Sequence, residues 1–239
     1  MDFFAELGRW FLENWSGDHG WLIRLWEHVE ISGLAVIAAA AVAIPLGAWL
    51  GHTGRGGLAV ISVVNIGRAL PSFGILALAL PLTIWLHQVG LLSSGLGFAP
   101  TFVALFALGL PPVFTNTYAG VRGIDPEVVE AARGMGFTGS RLLRDVEFPL
   151  ALPVILTGVR VTAVQVVATA TLGALVGYGG LGRFIIDGFA TQNDVRIVAG
   201  ALLVAILSII TEVSFSLVER CSLSPGITVA RKADAAIAR

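Results

Sequence analysis

The stretch EAARGMGFTGSRLLRDVEFPLALP, residues 130–153, decides how the rest of the chain is read. Inside it GMGFTG, residues 134–139, fits G-x-G-x-x-G, the glycine pattern of a dinucleotide-binding loop. Such a loop needs a preceding strand, a helix opening at its third glycine and an acidic residue about twenty positions on, all within a βαβ unit. None of that context surrounds Gly134. Upstream stands Asp125, an N-capping residue, then Pro126 at the first helical position and Glu127 in the first turn. The segment predicts a short helix carrying Val128, Val129, Ala131 and Ala132, with a break near Gly134 or Gly136. A second helical piece over 140–146 then leads through Pro149 into an apolar run. Two helices meeting at a glycine bend make an elbow. It can rest on lipid headgroups or receive another protein, whose surface the alanines and glycine would admit closely while Glu130 and the arginines supply charged contacts.

Working outward, the composition settles the solvent. Of 239 residues, 56% are hydrophobic and only 13% charged, with a mean hydropathy of +0.84; a soluble domain carries about a quarter charged residues. This is a membrane protein whose partner is the bilayer. Its net charge of −1 gives nucleic acid no reason to bind. The lone Cys221 excludes an intrachain disulfide, and His19, His28, His52 and His87 are scattered without ligand spacing, so no metal site is expected. A phosphate-binding G-x-x-x-x-G-K-[ST] loop is absent, Lys232 being the only lysine and wrongly placed. Any energy from ATP has to enter through another subunit.

A helix needs about 20 apolar residues to cross the hydrocarbon. Residues 29–50, 101–119, 150–172 and 195–218 meet this, and 57–86 reads as one long span kinked at Pro71, with two short spans as the rival reading. Five spans, with six as the rival count, make the fold an all-α membrane protein. Positive charge favours the cytoplasm. Placing Arg55, the elbow arginines Arg122, Arg133, Arg141 and Arg144, and Arg220, Arg231, Lys232 and Arg239 inside leaves Arg9, Arg24, Arg183 and Arg196 outside. The N-terminus is then outside and the C-terminus cytoplasmic. Residues 1–28 lack the basic region of a secretory signal and intersperse tryptophans with charges, which predicts an interfacial amphipathic segment, or else a short extra span. Residues 29–218 form the transmembrane domain, with the elbow loop at 122–148, and 219–239 a short cytoplasmic tail.

Two spans carry polar stripes at helical spacing: Ser62, Asn65, Arg68 and Ser72 on the second, and Thr162, Gln165 and Thr169 on the fourth. An arginine in the hydrocarbon costs at least about 2.5–3.5 kcal/mol, so Arg68 should face protein or water. These faces either line a translocation path or glue helices together. Arg160, about two turns into the fourth span, is expected to pair with Glu212 or with backbone carbonyls. No nucleophile and base, and no paired acids, are placed for an intramembrane enzyme. No inverted repeat supports a carrier working alone.

The stretch quoted first also resembles a family signature. Glu130-Ala131-Ala132, Gly136 after three residues, and Val146, Phe148 and Pro149 after nine more match the EAA loop of binding-protein-dependent ABC importer permeases, Phe148 standing where leucine is usual. The likeness extends through AIPLGAWLG (43–51), NIGRALPS (65–72) and GYGGLGRFI (177–185). It is nearest in character to osmoprotectant permeases for glycine betaine, carnitine, choline and proline betaine, and it is similar to methionine-importer permeases around VNIGRALP. The resemblance implies the MetI-like permease fold and no enzymatic activity in this chain. It also implies ATP bound by partner ATPase subunits, a second permease copy or paralogue, and an extracytoplasmic substrate-binding protein. In that family the EAA loop docks on the ATPase, which would make Glu130, Ala131, Ala132 and Gly136 docking positions, with Arg133, Met135 and Phe137 beside them. The segment around Gly179, Gly180 and Gly182 would belong to the outer gate and the binding-protein surface. For a betaine, Arg68 offers a partner to the carboxylate and Tyr118 an aromatic face to the quaternary ammonium.

Overall fold

The computed structural model describes residues 3–17, 19–55, 62 and 71–222. Among these there is no strand. Helix α1, Phe3–Glu13, is followed by α2, Trp21–Thr53, and α3, Ser72–Gln88. Next come α4, Phe98–Arg122, and the elbow helices α5, Pro126–Gly134, and α6, Gly139–Leu142. A widened π turn, Leu143–Glu147, feeds α7, Phe148–Thr169, which tightens into a 3₁₀ segment, Ala170–Val176. Helices α8, Gly182–Thr191, and α9, Asp194–Ser222, complete the fold.

Four of these helical runs are long and apolar enough to cross a membrane, and α3 is a fifth, shorter apolar helix. That agrees with an all-α membrane fold of about five spans. The expected kinked span over 57–86 enters the described residues only at Ser62 and from Pro71 onward, where Pro71 stands as the N-cap of α3. Asn65 and Arg68 lie outside the described residues. The boundary expected at residue 28 does not coincide with an end of helix: α2 starts at Trp21 and runs through it. At roughly 1.5 Å per residue, a helix of 33 residues is about 50 Å long, against a hydrocarbon core of about 30 Å. Its ends therefore project into both interfaces, which places Glu27 and His28 at one end and His52 at the other. Helix α1, at 11 residues, is too short to span. It is pinned by Leu7, which is buried, and by Trp10, whose ring meets Phe184 edge-on at 5.1 Å.

What holds the bundle together is close backbone approach. Along α2, Ala35, Ala39, Ala43, Gly47 and Gly51 recur every four residues, and all are buried. They meet a ridge of the same period on α4: Thr101, Leu105, Gly109, Val113, Thr117 and Val121, also buried. Lipid tails give apolar helices no hydrophobic reason to associate, so small residues that let backbones touch supply dispersion contacts instead. A Cβ on Gly47 would stand 2.9 Å from Cβ of Thr117, and one on Gly51 2.9 Å from Cβ of Val121. Helix α7 packs on α4 by the same device at Gly158, where an added Cβ would be 2.6 Å from Cβ of Asn116. Apolar side chains that remain exposed, among them Ile37, Leu78, Trp85, Ile209 and Leu217, lie on the apolar helices α2, α3 and α9.

Candidate functional site

The elbow is built as its capping residues dictate. Asp125 Oδ1 accepts the Glu127 N–H at 2.9 Å, and Pro126 occupies the first turn, where its missing N–H is not needed. At the other end the Gly136 N–H donates to Arg133 O at 2.9 Å and the Phe137 N–H to Ala132 O at 3.1 Å. Those two bonds are a complete Schellman motif with Gly136 in its left-handed position, φ +91°. Gly136 is thus the residue that ends α5, and Gly134 is its last helical residue. Val129 is half-buried and Ala132 buried, so this face seats the helix; Glu130, Ala131, Arg133 and Met135 are exposed, and Phe137 is half-buried. Of the residues expected at or beside a docking surface, Ala132 is turned inward.

Beyond the bend, Leu142 is buried and anchors α6. The Phe148 N–H then bonds Leu143 O, five residues back, in place of the α-helical four. This widened turn carries Glu147, only 5% exposed, whose Oε2 lies 2.6 Å from Nδ1 of His52 in the last turn of α2. Between the ends of α2 and α4 and the inner side of α5 is an open cavity of about 490 Å³, lined by His52, Arg122, Asp125, Glu130, Arg133 and Glu147 among others.

At the far end of α2 the glycine-rich segment after α7 is strapped down. Glu27 accepts the Gly180 N–H at 2.7 Å on Oε2 and pairs with Arg24 at 2.9 Å through the same oxygen. Nδ1 of His28 accepts the Leu181 N–H at 3.2 Å, so its Nε2 carries the proton and donates to Val167 O at 2.8 Å. The Tyr178 hydroxyl donates to Glu27 O at 2.8 Å. Burial, reinforced by the negative charges of Glu30 and Glu27, holds this phenol above its ordinary pKa, so it remains a donor. A Cβ on Gly179 would collide with the Glu27 carboxylate, Gly180 has φ +74°, and a Cβ on Gly182 would strike the Thr171 backbone. The three glycines expected at an outer gate therefore sit together in one fixed turn. Glu27, His28 and Tyr178, which hold it, carry no sequence signal beyond being polar groups at the edge of a span.

The polar stripes divide. Ser72 and Thr169 come together in a slot of about 10 Å³ between α3, α4 and the end of α7. Thr162 is fully buried and bonds Gly109 O at 3.3 Å, joining α7 to α4. Gln165 is exposed on another side of α7, and Tyr118 stacks on Phe114 at 6.4 Å, so neither reaches that slot. Arg160 pairs with Glu212, as expected, at 3.3 Å, and also with Glu219 at 2.9 Å. Glu219 further accepts the Thr157 hydroxyl at 3.2 Å, which ties α7 to α9.

This architecture and these motifs agree with what known proteins offer for comparison. Residues 43–221 match the model of the family described as binding-protein-dependent transport system inner membrane component. The chain is 38% identical over 87% of its length to the carnitine transport permease protein OpuCB of Listeria monocytogenes, of which the match covers 89%. It is 37% identical over 88% of its length to the choline transport system permease protein OpuBB of Bacillus subtilis, with 91% of that protein covered. Among solved structures, a chain of the MetNI methionine ABC transporter in an inward facing conformation superposes with a TM-score of 0.74 at 24% identity, covering 85% of this chain and 96% of that one. An amino acid ABC transporter crystallised with histidines gives 0.68 at 21%, covering 92% and 98%. The chain therefore belongs to the binding-protein-dependent transport system inner membrane component family, as a multi-pass membrane subunit of a transporter and not an enzyme.

Proposed function

We propose that this chain is one permease half of an ATP-driven importer for small quaternary-ammonium osmoprotectants, the class to which carnitine, choline and glycine betaine belong. Membership of the family implies an ATPase, a substrate-binding protein and a paired permease. The observation that carries the solute class is similarity over most of the chain to permeases named for carnitine and choline. The elbow is the docking point for the ATPase: Glu130, Ala131, Arg133 and the Gly136 bend are exposed, Glu130 and Arg133 at the rim of the open cavity, with Phe137 at their edge, and Ala132 seats the helix behind them. ATP is held by that partner, in keeping with the missing phosphate loop. On this reading the elbow side and the C-terminus are cytoplasmic and residues 1–28 lie at the outer face. The strapped turn at Gly179, Gly180 and Gly182 forms part of the outer gate, where the binding protein arrives.

A single permease of five spans is too small to enclose a path, so two copies or two paralogues surround it. Ser72 and Thr169, already adjacent, are its first lining residues, with Asn65, Arg68, Tyr118 and Gln165 as further contributors and Thr162 behind them.

The test is reconstitution of the chain with its ATPase, its paired permease and its binding protein in vesicles. ATP-dependent uptake of labelled carnitine, choline or glycine betaine is expected, and Glu130→Arg should abolish ATPase association while the permease still folds. Uptake of methionine in place of all three would overturn the solute class. Normal ATPase binding by the Glu130→Arg protein would overturn the docking assignment.

A further inference from the structure

The elbow is continuous with α7 through the chain itself, and the structure provides it with a second connection. We infer that His52 and Glu147 form a latch through which a displacement of the elbow reaches α2, so that both are positioning residues for coupling. The inference rests on the elbow being the ATPase docking point.

Three observations meet here. Glu147 is 5% exposed, and a buried carboxylate is costly unless a partner answers it. His52 does so at 2.6 Å, from 95 residues away in sequence. Second, the pair sits where the elbow turns into a span: Glu147 closes the widened turn Leu143–Glu147, and single π turns of this kind occur frequently at functional sites. Third, the cavity of about 490 Å³ leaves the inner side of α5 unpacked against the end of α2. Leu143 and Phe148 make apolar contact around Ala48 and Val121, but such contacts let helices slide, whereas a short polar bond holds one register. The EAA signature leaves the position of Glu147 open, so the latch is a property of this chain and not of the signature.

A rigid link from the elbow to α2 has a mechanical consequence. Helix α2 carries the small-residue ridge against α4 from Ala35 to Gly51, beside His52, and Glu27 and His28 toward its far end. Movement delivered to His52 is therefore delivered to a helix that also holds the outer strap. An elbow tied only to α7 would reach α2 through packing further along the bundle, as at Ala35 and Ala163, and through the Val167–His28 bond at the far end, not through a polar bond at the end of α2 beside the elbow.

In the reconstituted complex, His52→Ala and Glu147→Gln should leave ATPase association and ATP hydrolysis in place while solute transported per ATP falls about fivefold or more. The exchanged pair His52→Glu with Glu147→His should recover most of that ratio, which a loss of packing alone would not allow. Should His52→Ala fail to assemble, His52→Gln, closer in size, is read by the same ratio. An unchanged ratio in the single variants, or a parallel fall of assembly, hydrolysis and uptake with no recovery in the exchanged pair, would overturn the latch. Because Glu130→Arg reads ATPase association and the latch variants read transport per ATP, failure of one leaves the other standing.

Discussion

Two segments of this chain spell G-x-G-x-x-G, residues 134–139 in the elbow and 177–182 in the outer strap, and the structure uses their glycines for opposite ends. In the elbow, a Cβ added to Gly134, Gly136 or Gly139 would meet no atom within 4 Å. In the strap, one added to Gly179 would run into Glu27, and one added to Gly182 into the backbone of Thr171. In the elbow Gly136 and Gly139 serve backbone angles on an open surface; in the strap Gly179 and Gly182 allow close approach in a packed one, while Gly177, with φ +86° and nothing within 4 Å, behaves as the elbow glycines do. The same spelling therefore says nothing about a ligand, and what it does say depends on neighbours far away in sequence.

The contrast breaks most sharply at Gly182. Its alanine variant places Cβ 2.7 Å from Cα of Thr171, and neither backbone can rotate away as a flexible side chain would. Overpacking of this kind costs about 1–3 kcal/mol, and a backbone obstacle puts it at the upper end. The expected outcome is a clear fall in the thermal midpoint of the purified protein in detergent or nanodiscs, with lower yield. A midpoint equal to that of the parent chain would remove the packed half of the comparison.

At Gly136 the expected effect is smaller and has a different cause. The position is open, so size is irrelevant, but φ is +91°, where a Cβ costs about 1–2 kcal/mol. Gly136→Ala and Gly136→Gln, neither of them β-branched, should lose stability about equally, and Gly136→Asn less, because asparagine tolerates left-handed backbone. Thermal midpoints of the three variants decide it. A graded loss following side-chain volume would mean that the surface around the bend is filled and not open.

The elbow was legible because its determinants are local. Asp125, Pro126 and Gly136 cap the helix they border, and the break near Gly136 follows from residues within one turn of it. The strap was not legible in the same way. The partners of Tyr178, Gly180 and Leu181 are Glu27 and His28, 151 or 153 positions away, and only the fold brings them together. The continuity of α2 was not legible either: Trp21 and Trp26 interleaved with charges read as part of a separate amphipathic segment, whereas the helix that begins at Trp21 runs without a break into the span. On the fourth span, Thr162, Gln165 and Thr169 passed for one face. At about 100° per residue, however, Gln165 stands about 60° away from Thr162, enough to turn it out of the α4 contact that buries Thr162. Thr169, about 20° away, stays near that contact and reaches the slot beside Ser72. The four-residue ridge from Ala35 to Gly51 is visible in the sequence once the matching ridge on α4 is known, but alanine runs in a span have too many registers to pick one unaided.

The smallest expected effect has the opposite sign and belongs to Gly134. It closes α5 without a left-handed φ, and a Cβ there meets nothing within 4 Å. Glycine in such a place only adds freedom to the unfolded chain, so Gly134→Ala should stabilise the isolated permease by about 0.4–1 kcal/mol. The measurement is again the thermal midpoint, which should rise slightly while Gly182→Ala lowers it. Its value lies in a second reading on the same protein, its association with the ATPase. If the midpoint rises and association is kept, the open space beside Gly134 is solvent in the complex as well. If the midpoint rises and association weakens, that space is where the partner's surface comes within contact distance of the backbone, and the glycine is there for close approach after all, to another chain instead of to its own.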